Sequence, residues 1–157
     1  METCRRIEGL VEFIAERYAD AAEIGIGHFP DVAFALSNRG VNIFATDIRP
    51  FNHKGIKVIV DDITMPDLYL YSGLDLIYSM RPPLEMVPYM VRLAKTISAD
   101  LIVKPLSSEY IDGWRSIRNE NTTFFLMMSK KNEQGKNISQ SISCHSEIIS
   151  GSHKAII

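Results

Sequence analysis

The sequence predicts an α/β fold: a doubly wound, mainly parallel sheet in a three-layer arrangement, with helices on both faces. Short apolar segments alternate with amphipathic segments along most of the chain, which is the order expected when crossover helices join parallel strands. Two glycines, Gly25 and Gly27, follow the first apolar segment, and Asp47 follows the second. A glycine turn with an acidic residue about twenty positions further on is typical of nucleotide-binding α/β proteins.

Length and composition indicate one domain with a single core. The chain has 157 residues, of which 46% are hydrophobic and 23% charged, with a formal net charge of −2. This charge does not indicate nucleic-acid binding. Cys4 and Cys144 suggest no disulfide framework, and no apolar run is long enough to span a bilayer. We expect a cytoplasmic protein without membrane contact, and a homo-oligomer is not excluded.

Hydrophobic periodicity predicts the elements in order. Residues 3 to 18 form the first helix, because their apolar positions recur at helical spacing. A second helix runs from Pro30 to Gly40 and a third from Leu84 to Ala94, where Pro88 either kinks the helix or marks its true start. The predicted strands are the run carrying Ile24 and Ile26, Val41 to Thr46, Ile56 to Val60, Leu74 to Tyr78, Leu101 to Val103 and Thr123 to Met128.

The C-terminal part changes in composition. From Ser129 onward Ser, Asn, Lys and Gln dominate and periodicity is lost, which favours a flexible segment. We therefore expect residues 1–130 to form the domain and residues 131–157 a flexible polar tail. With Thr123 to Met128 as the sixth strand, the sheet is expected to be shortened at its C-terminal end.

Three motifs resemble the nucleotide end of class I S-adenosylmethionine-dependent methyltransferases, which have a Rossmann-like fold. Glu23 to Gly27 resembles their first motif, an acidic residue followed by Gly-x-Gly. Thr46-Asp47 is similar to the second motif and Val60-Asp61-Asp62 to the third.

A closer resemblance is to a family of small, uncharacterised archaeal proteins with this fold. Gly-Ile-Gly-x-Phe-Pro-Asp, Asp-x-Arg-Pro and Arg-Pro-Pro segments recur in that family, and they stand here as Gly25 to Asp31, Asp47 to Pro50 and Arg81 to Pro83. The resemblance implies a Rossmann-like, methyltransferase-type domain over roughly residues 3 to 130, while the activity of the family is not established.

The resemblance implies S-adenosylmethionine as cofactor, a small nucleotide ligand. Gly25 and Gly27 would let its methionyl part lie against the backbone, and Asp47 would accept hydrogen bonds from the ribose. The remaining implied residues are Asp62 (less favourably Asp61) at the adenine amino group, Tyr78 or Ser79 beside the sulfonium, and Glu23, which would orient the glycine turn. For the two glycines, Asp47 and the Asp61-Asp62 pair, a purely structural role remains the alternative.

Two observations favour this ligand over NAD. Asp31 falls in the first turn of the second helix, where a dinucleotide would place its pyrophosphate, and a carboxylate repels phosphate there. The third glycine of the dinucleotide pattern is absent, because His28-Phe29-Pro30 follows Gly27.

His28 and Arg81 are the candidate catalytic residues. His28, which follows the glycine turn, is a candidate general base, although an exposed loop histidine without a role is the simpler interpretation. Arg81 offers only donors and a permanent positive charge, which suits an anionic acceptor group or a structural ion pair rather than a target amine. The histidines and cysteines show no metal-ligand spacing, so no bound metal is predicted.

Three functions remain open. The first is methyl transfer from S-adenosylmethionine to a small or RNA-borne acceptor that the sequence does not identify. The second is a non-catalytic nucleotide-binding or interaction module with a methyltransferase-like fold. The third is an NAD-binding Rossmann protein, which Asp31 disfavours.

Overall fold

The computed structural model describes residues 2–106 and 111–134, and these residues form one sheet with helices on both faces. The helices are α1 (Glu2–Arg17), α2 (Asp31–Asn38) and α3 (Val87–Ile97), and residues 130–134 are helical as well. The strands are β1 (Asp20–Ile24), β2 (Asn42–Asp47), β3 (Val58–Val60), β4 (Leu76–Met80), β5 (Asp100–Lys104), β6 (Arg115–Asn119) and β7 (Thr122–Met127).

The seven strands follow the order β3-β2-β1-β4-β5-β7-β6. Strands β1 to β5 pair in parallel, whereas β7 is antiparallel to both β5 and β6. The chain leaves β1 towards β2 and β3 on one side and returns to place β4 and β5 on the other. The strand order therefore reverses between β1 and β4, and this switch point is where doubly wound sheets bind their ligands.

Each face of the sheet is covered by its own apolar cluster. On one face Leu76 and Tyr78 of β4 pack with residues of α1 and α2, among them Leu10 and Leu36. On the other face Ile77 packs with residues of α3 and of a 3-10 turn at Leu68–Tyr71. Because successive side chains of a strand point to opposite faces, β4 contributes to both clusters. The predicted three-layer, doubly wound α/β class is confirmed.

The predicted boundaries lie within about three residues of the observed ones, and the differences near Pro88 and in β1 are the most informative. The third helix begins at Val87, with Pro88 in its first turn, and residues Leu84–Met86 form a separate 3-10 turn. Proline is favoured there because its missing N–H has no acceptor in the first helical turn. Strand β1 ends at Ile24, so Ile26 belongs to the turn that follows it.

The expected shortening of the sheet is wrong. The segment predicted as the sixth and last strand is β7, and the strand β6 precedes it as the other half of a hairpin. Strand β6 lies at the edge of the sheet, and Ile117, its one apolar residue, packs against the α1 and α2 cluster. A half-exposed edge strand of this kind has too little apolar signal to be found by hydrophobicity.

The predicted tail lies mostly outside the described residues, which end at residue 134. Within them, the backbone N–H of Ser129 and the Nδ2 of Asn132 both donate to Oδ1 of Asp100, at 2.7 and 3.0 Å. These contacts hold the chain against the start of β5 as far as Asn132. The proposed boundary at residue 130 and the flexibility of residues 131–157 stay predictions.

Candidate functional site at the switch point

The carboxyl ends of the parallel strands bring together most of the residues singled out in the sequence. Gly25 and Gly27 follow β1, Asp47 is the last residue of β2, and Asp62 lies just beyond β3. Arg81 directly follows β4 on the other side of the switch point. These five residues thus border one crevice, as the doubly wound topology requires.

The glycine turn is open on the side that faces the crevice. Gly25 and Gly27 have φ angles of 71° and 55°, in the left-handed region that favours glycine. A Cβ added to either residue would meet no atom within 4 Å. The backbone N–H groups of Gly25 and Ile26 donate to the carbonyl oxygen of Thr46 at 2.8 and 3.2 Å, which fixes the turn against the end of β2. The glycines are therefore required by backbone conformation, and the space above them is free for a ligand.

Asp47 joins the glycine turn to the end of β2. Its Oδ2 accepts a hydrogen bond from the N–H of Gly27 at 2.9 Å, and its Oδ1 accepts one from the N–H of Arg49 at 3.0 Å. Each carboxylate oxygen has a second acceptor position, so this carboxylate can still accept from ligand hydroxyls.

His53 was not singled out in the sequence, and it contacts the same turn. Its Nε2 lies 2.7 Å from the carbonyl oxygen of Gly27, and its ring stacks on that of Phe51. Phe51 in turn contacts the ring of His28 edge-on. Nothing in the local sequence indicates this contact, because it joins two loops that are distant along the chain. The two loops therefore support each other at the rim of the crevice.

Glu23 lies beneath the glycine turn as an orphaned carboxyl group. The residue is 1% exposed, and neither of its carboxylate oxygens nor the Tyr78 hydroxyl has a hydrogen-bond partner among the described residues. Burial raises the pKa of the Glu23 carboxyl to about 8, and the nearby Asp31 carboxylate adds to the rise while the Tyr78 hydroxyl offsets part of it. The Asp31 carboxylate makes this end of α2 receptive to a cationic group and unfavourable for a phosphate, and a bound cation would favour the ionised form of Glu23.

Asp61 and Asp62 have different surroundings. Asp61 accepts from the Tyr71 hydroxyl at 2.6 Å and from the N–H of Asp67 at 3.1 Å, so it holds the connection after β3 in place. Asp62 is exposed, and the backbone and hydroxyl of Thr64 donate to its Oδ1, which lowers its pKa. Its Oδ2 has no partner among the described residues. Of the two, Asp62 is the one placed to meet a ligand.

Tyr78 and Ser79 lie inside the sheet rather than in the crevice. Tyr78 is fully buried in the cluster beneath α1 and α2, where burial and the Glu23 carboxyl raise its pKa well above the ordinary value. The Ser79 hydroxyl is also buried and donates to the carbonyl oxygen of Ile24 at 2.8 Å. Neither side chain faces the crevice, so both act on it only by fixing the end of β1 beside β4.

The large apolar side chains that are exposed among the described residues all lie at or after the carboxyl ends of the parallel strands. These side chains are Phe29, Ile48, Val60, Met65, Leu68, Tyr69, Leu84 and Leu106. Exposed apolar groups that lie together mark a binding surface. Ile48, which directly follows Asp47, and Val60, at the end of β3, add apolar surface on the side where Asp62 lies.

A groove of about 780 Å³ lies away from the switch point, between α1 and the β6–β7 hairpin. Its buried carboxylate, Asp100, already accepts from the Tyr18 hydroxyl, the Ser129 N–H and Asn132. The groove therefore has no unsatisfied group at Asp100 that calls for a ligand.

Metal binding receives no support from the part of the chain that the structure describes. No group of three or more His, Cys, Asp or Glu side chains is arranged there to hold an ion. Cys144, His145 and His153 lie outside the described residues, so the expected absence of a metal stays a prediction. Among the described helices, none combines the length and apolar character needed to cross a bilayer.

Solved structures with a similar fold are methyltransferases of low sequence identity. An rRNA methylase from Streptococcus thermophilus matches with a TM-score of 0.55 and 13% identity, over 80% of this chain and 96% of that protein. The amino pentose methyltransferase CalS10 from Micromonospora echinaspora was solved with S-adenosylmethionine bound. It matches with a TM-score of 0.50 and 13% identity, over 76% of this chain and 58% of that protein. The fold is therefore the Rossmann-like fold of class I S-adenosylmethionine-dependent methyltransferases.

Sequence comparison identifies the family of this chain. The uncharacterised protein family UPF0146 matches residues 8–130. The UPF0146 protein of Archaeoglobus fulgidus is 38% identical over 120 residues, which is 75% of this chain and 92% of that protein. The UPF0146 protein MJ0688 of Methanocaldococcus jannaschii is 35% identical over 132 residues, 78% of this chain and 96% of that protein. The chain belongs to the UPF0146 family, which confirms the resemblance to a small archaeal family.

Proposed function

We propose that this protein binds S-adenosylmethionine in the crevice at the switch point and transfers its methyl group to an acceptor. The observation that carries this proposal is the hydrogen bond from the Gly27 N–H to Asp47. This hydrogen bond joins an open glycine turn to a carboxylate that can accept further hydrogen bonds, at the switch point where proteins of this fold class bind their ligands.

The acceptor groups around the turn fit this ligand. Gly25 and Gly27 leave open space for the methionyl chain, and the exposed Asp31 carboxylate favours the ammonium group at its end. Asp47 would hold the ribose hydroxyls, and the free Oδ2 of Asp62 would accept from the adenine amino group. Ile48 and Val60 offer apolar surface to the face of the base.

An NAD cofactor fits the same crevice poorly. A pyrophosphate at the start of α2 would lie beside Asp31, in the first turn of that helix, and near the Glu23 carboxyl. The Asp31 carboxylate disfavours an anion there, although the helix end itself attracts one. This charge arrangement supports the sulfonium cofactor over the dinucleotide.

The bound cofactor supplies an electrophilic methyl group, so the protein has to align an acceptor and remove its proton. Arg81 lies at the end of β4, next to the turn that would hold the methyl donor. His28 is exposed at the same rim and is the proposed proton acceptor.

Calorimetric titration of the purified protein with S-adenosylmethionine, S-adenosylhomocysteine and NAD tests the binding step. We expect heat with the first two ligands, and Asp47→Asn should weaken their affinity roughly ten- to a hundredfold, the loss typical of hydrogen bonds to a charged group. Asp75→Asn is the matched control, because Asp75 also accepts backbone hydrogen bonds but lies at the amino end of β1, away from the crevice. Absence of binding by both sulfur ligands would overturn the proposal.

Transfer of a labelled methyl group to components of a cell extract separates an enzyme from a binding module. An enzyme should label an acceptor, and Asp47→Asn should abolish the labelling at low cofactor concentration. Binding without any labelled product, at saturating cofactor, would favour the non-catalytic module with a methyltransferase-like fold.

A further inference from the structure

Two cations meet where β4 and β5 end. The backbone N–H of Arg81 donates to the carbonyl oxygen of Lys104 at 2.7 Å, next to the register pair of Met80 and Lys104. The parallel pairing of the two strands therefore fixes these residues side by side at the crevice, and their charges interact.

Neither cation has an anionic partner among the described residues. The Arg81 guanidinium makes neither an ion pair nor a hydrogen bond with any of them, and the Lys104 ammonium donates only to the carbonyl oxygen of Pro105, at 3.4 Å. Lys104 is half-buried, and its burial together with the Arg81 charge lowers the pKa of its amine. Like charges held together in a partly buried place favour the binding of an anion.

The backbone of Arg81 is held in an uncommon conformation. Its φ angle is 55°, in the left-handed region that costs a residue with a side chain free energy. Strain of this kind persists where the surrounding structure imposes it, and it is often found at binding sites. The conformation directs the chain from β4 into Pro82 and Pro83 while Arg81 stays at the rim.

Exposed apolar side chains contact Arg81 or follow the two cations closely along the chain. The Arg81 guanidinium lies 5.8 Å from the centre of the Phe29 ring, and Phe29 is 67% exposed. Leu84 follows Arg81 after two prolines, and Leu106 follows Lys104 after one, and both are exposed. A molecule that places an anionic group between the cations would therefore lay an apolar part against Phe29, Leu84 or Leu106.

We propose that Arg81 and Lys104 form an oxyanion-binding site, which takes a carboxylate or a phosphate monoester attached to an apolar body. Its identification with the methyl acceptor rests on the proposed function. Pairing with two cations lowers the basicity of an oxyanion, so the bound group anchors the acceptor, and the methyl group goes to another atom. Arg81 is thus a positioning residue.

Binding of phenyl phosphate and phenylacetate to the full chain tests the site, with benzyl alcohol as the neutral counterpart. We expect at least one of the two anions to bind and benzyl alcohol to bind at least tenfold more weakly. The anion that binds with the higher affinity shows whether the site prefers a phosphate or a carboxylate. Arg81→Met and Lys104→Met should each reduce the affinity roughly tenfold or more, as expected for a charge-assisted hydrogen bond.

Arg92→Met and Lys95→Met are matched controls on α3. Arg92 is exposed and its guanidinium lies 5.7 Å from the Tyr89 ring, a geometry close to that of Arg81 and Phe29. Both controls should leave anion affinity unchanged. An equal loss in the controls would mean that net charge alone attracts the anions, and this would overturn the proposal.

Titration with S-adenosylmethionine distinguishes failure of this site from failure of the proposed function. Cofactor affinity that falls as much as anion affinity in Arg81→Met would assign Arg81 to the cofactor carboxylate and overturn the inference. Cofactor binding without anion binding would also overturn it and leave the proposed function intact. Anion binding without cofactor binding would support the site and reject the methyltransferase function.

Two further measurements exclude an internal counter-ion. The side-chain NMR signals of Lys104 should show its pKa rising when the anion binds, because the anion compensates the Arg81 charge. Glu109 follows Lys104 by five positions and lies outside the described residues, so Glu109→Gln tests it as a counter-ion and should leave the anion affinity unchanged. A tenfold or larger increase in Glu109→Gln would show that a carboxylate of this chain already occupies the pair, and the proposal would then be wrong.

Discussion

At the scale of single residues, Glu23 is the most unusual group beneath the crevice. Its carboxyl group is buried without a hydrogen-bond partner among the described residues, and its pKa lies near 8 instead of the ordinary 4.5. At neutral pH the folded protein therefore keeps a proton on Glu23 that the unfolded chain has released. The glycine turn rests on a carboxyl group that is predominantly neutral until a cation approaches it.

This buried carboxyl predicts a pH-dependent stability. Because the folded state holds the extra proton between pH 4.5 and about 8, the free energy of unfolding should fall as the pH rises through this range. The effect amounts to several kcal/mol, since one pKa unit corresponds to about 1.4 kcal/mol. Glu23→Gln should remove this component of the pH dependence and be more stable than the natural protein at pH 9, as measured by urea denaturation at pH 5, 7 and 9. Parallel profiles for the two proteins would contradict the assignment.

Ser98 offers a comparison with Arg81 at nearly the same backbone geometry. Its φ is 59°, at the C-terminal cap of α3, where glycine is the usual residue. Ser98→Gly should raise the free energy of unfolding by about 0.5–1 kcal/mol, because relief of left-handed strain exceeds the added entropy of the unfolded chain. Chemical denaturation measures the change.

Ser72→Gly serves as the control for that substitution. Ser72 is also an exposed serine at a cap position, but its φ is −63°, which any residue adopts without strain. Glycine there should lower stability through the unfolded state alone. The same sign of change at both positions would show that φ at Ser98 does not determine the effect.

At the scale of elements, α1 and the β6–β7 hairpin approach each other unusually closely at Gly9. The Asn119 Nδ2 donates to the carbonyl oxygen of Gly9 at 2.9 Å, and the Thr122 hydroxyl donates to that of Arg6 at 2.8 Å. A Cβ added to Gly9 would overlap the carbonyl oxygen of Asn119. Glycine is required here by contact between two elements, in contrast to Gly25 and Gly27.

Gly9→Ala tests this contact, because helix propensity and the contact predict changes of opposite sign in the free energy of unfolding. Helix propensity alone predicts a gain of about 1 kcal/mol for alanine within a helix. Overlap with the hairpin should instead lower the free energy of unfolding by about 1–3 kcal/mol, measured by urea denaturation. Glu8→Ala, on the exposed side of α1, should change stability by less than about 0.5 kcal/mol. Stabilisation by Gly9→Ala would show that the helix moves away from the hairpin without cost.

At the scale of the whole molecule, the alternation of strands and helices was predictable because buried parallel strands are continuous apolar runs. Leu101 to Val103 shows this pattern plainly. Strand β6 was not predictable, since its arginines face solvent at the edge of the sheet. Its presence completes a sheet that the sequence alone suggested was shortened.

For the candidate site, the sequence predicted which residues stand at strand ends and missed how they contact one another. The Gly25, Asp47 and Arg81 positions follow from motifs and topology. The contact of His53 with Gly27, and the inward direction of Tyr78 and Ser79, depend on loop conformation and strand register, which a period-two pattern does not specify.

The tie between α1 and the hairpin has a consequence for how the protein is made. The bonded pairs are separated by 110 and 116 positions along the chain, so α1 is synthesised long before the hairpin residues that bind it. Until β7 is synthesised, the apolar stripe with Leu10 and Ile14 lacks part of the surface that it covers, including Phe124 and Leu126. Folding therefore depends on long-range contacts, which form slowly and leave apolar surface accessible to chaperones during synthesis.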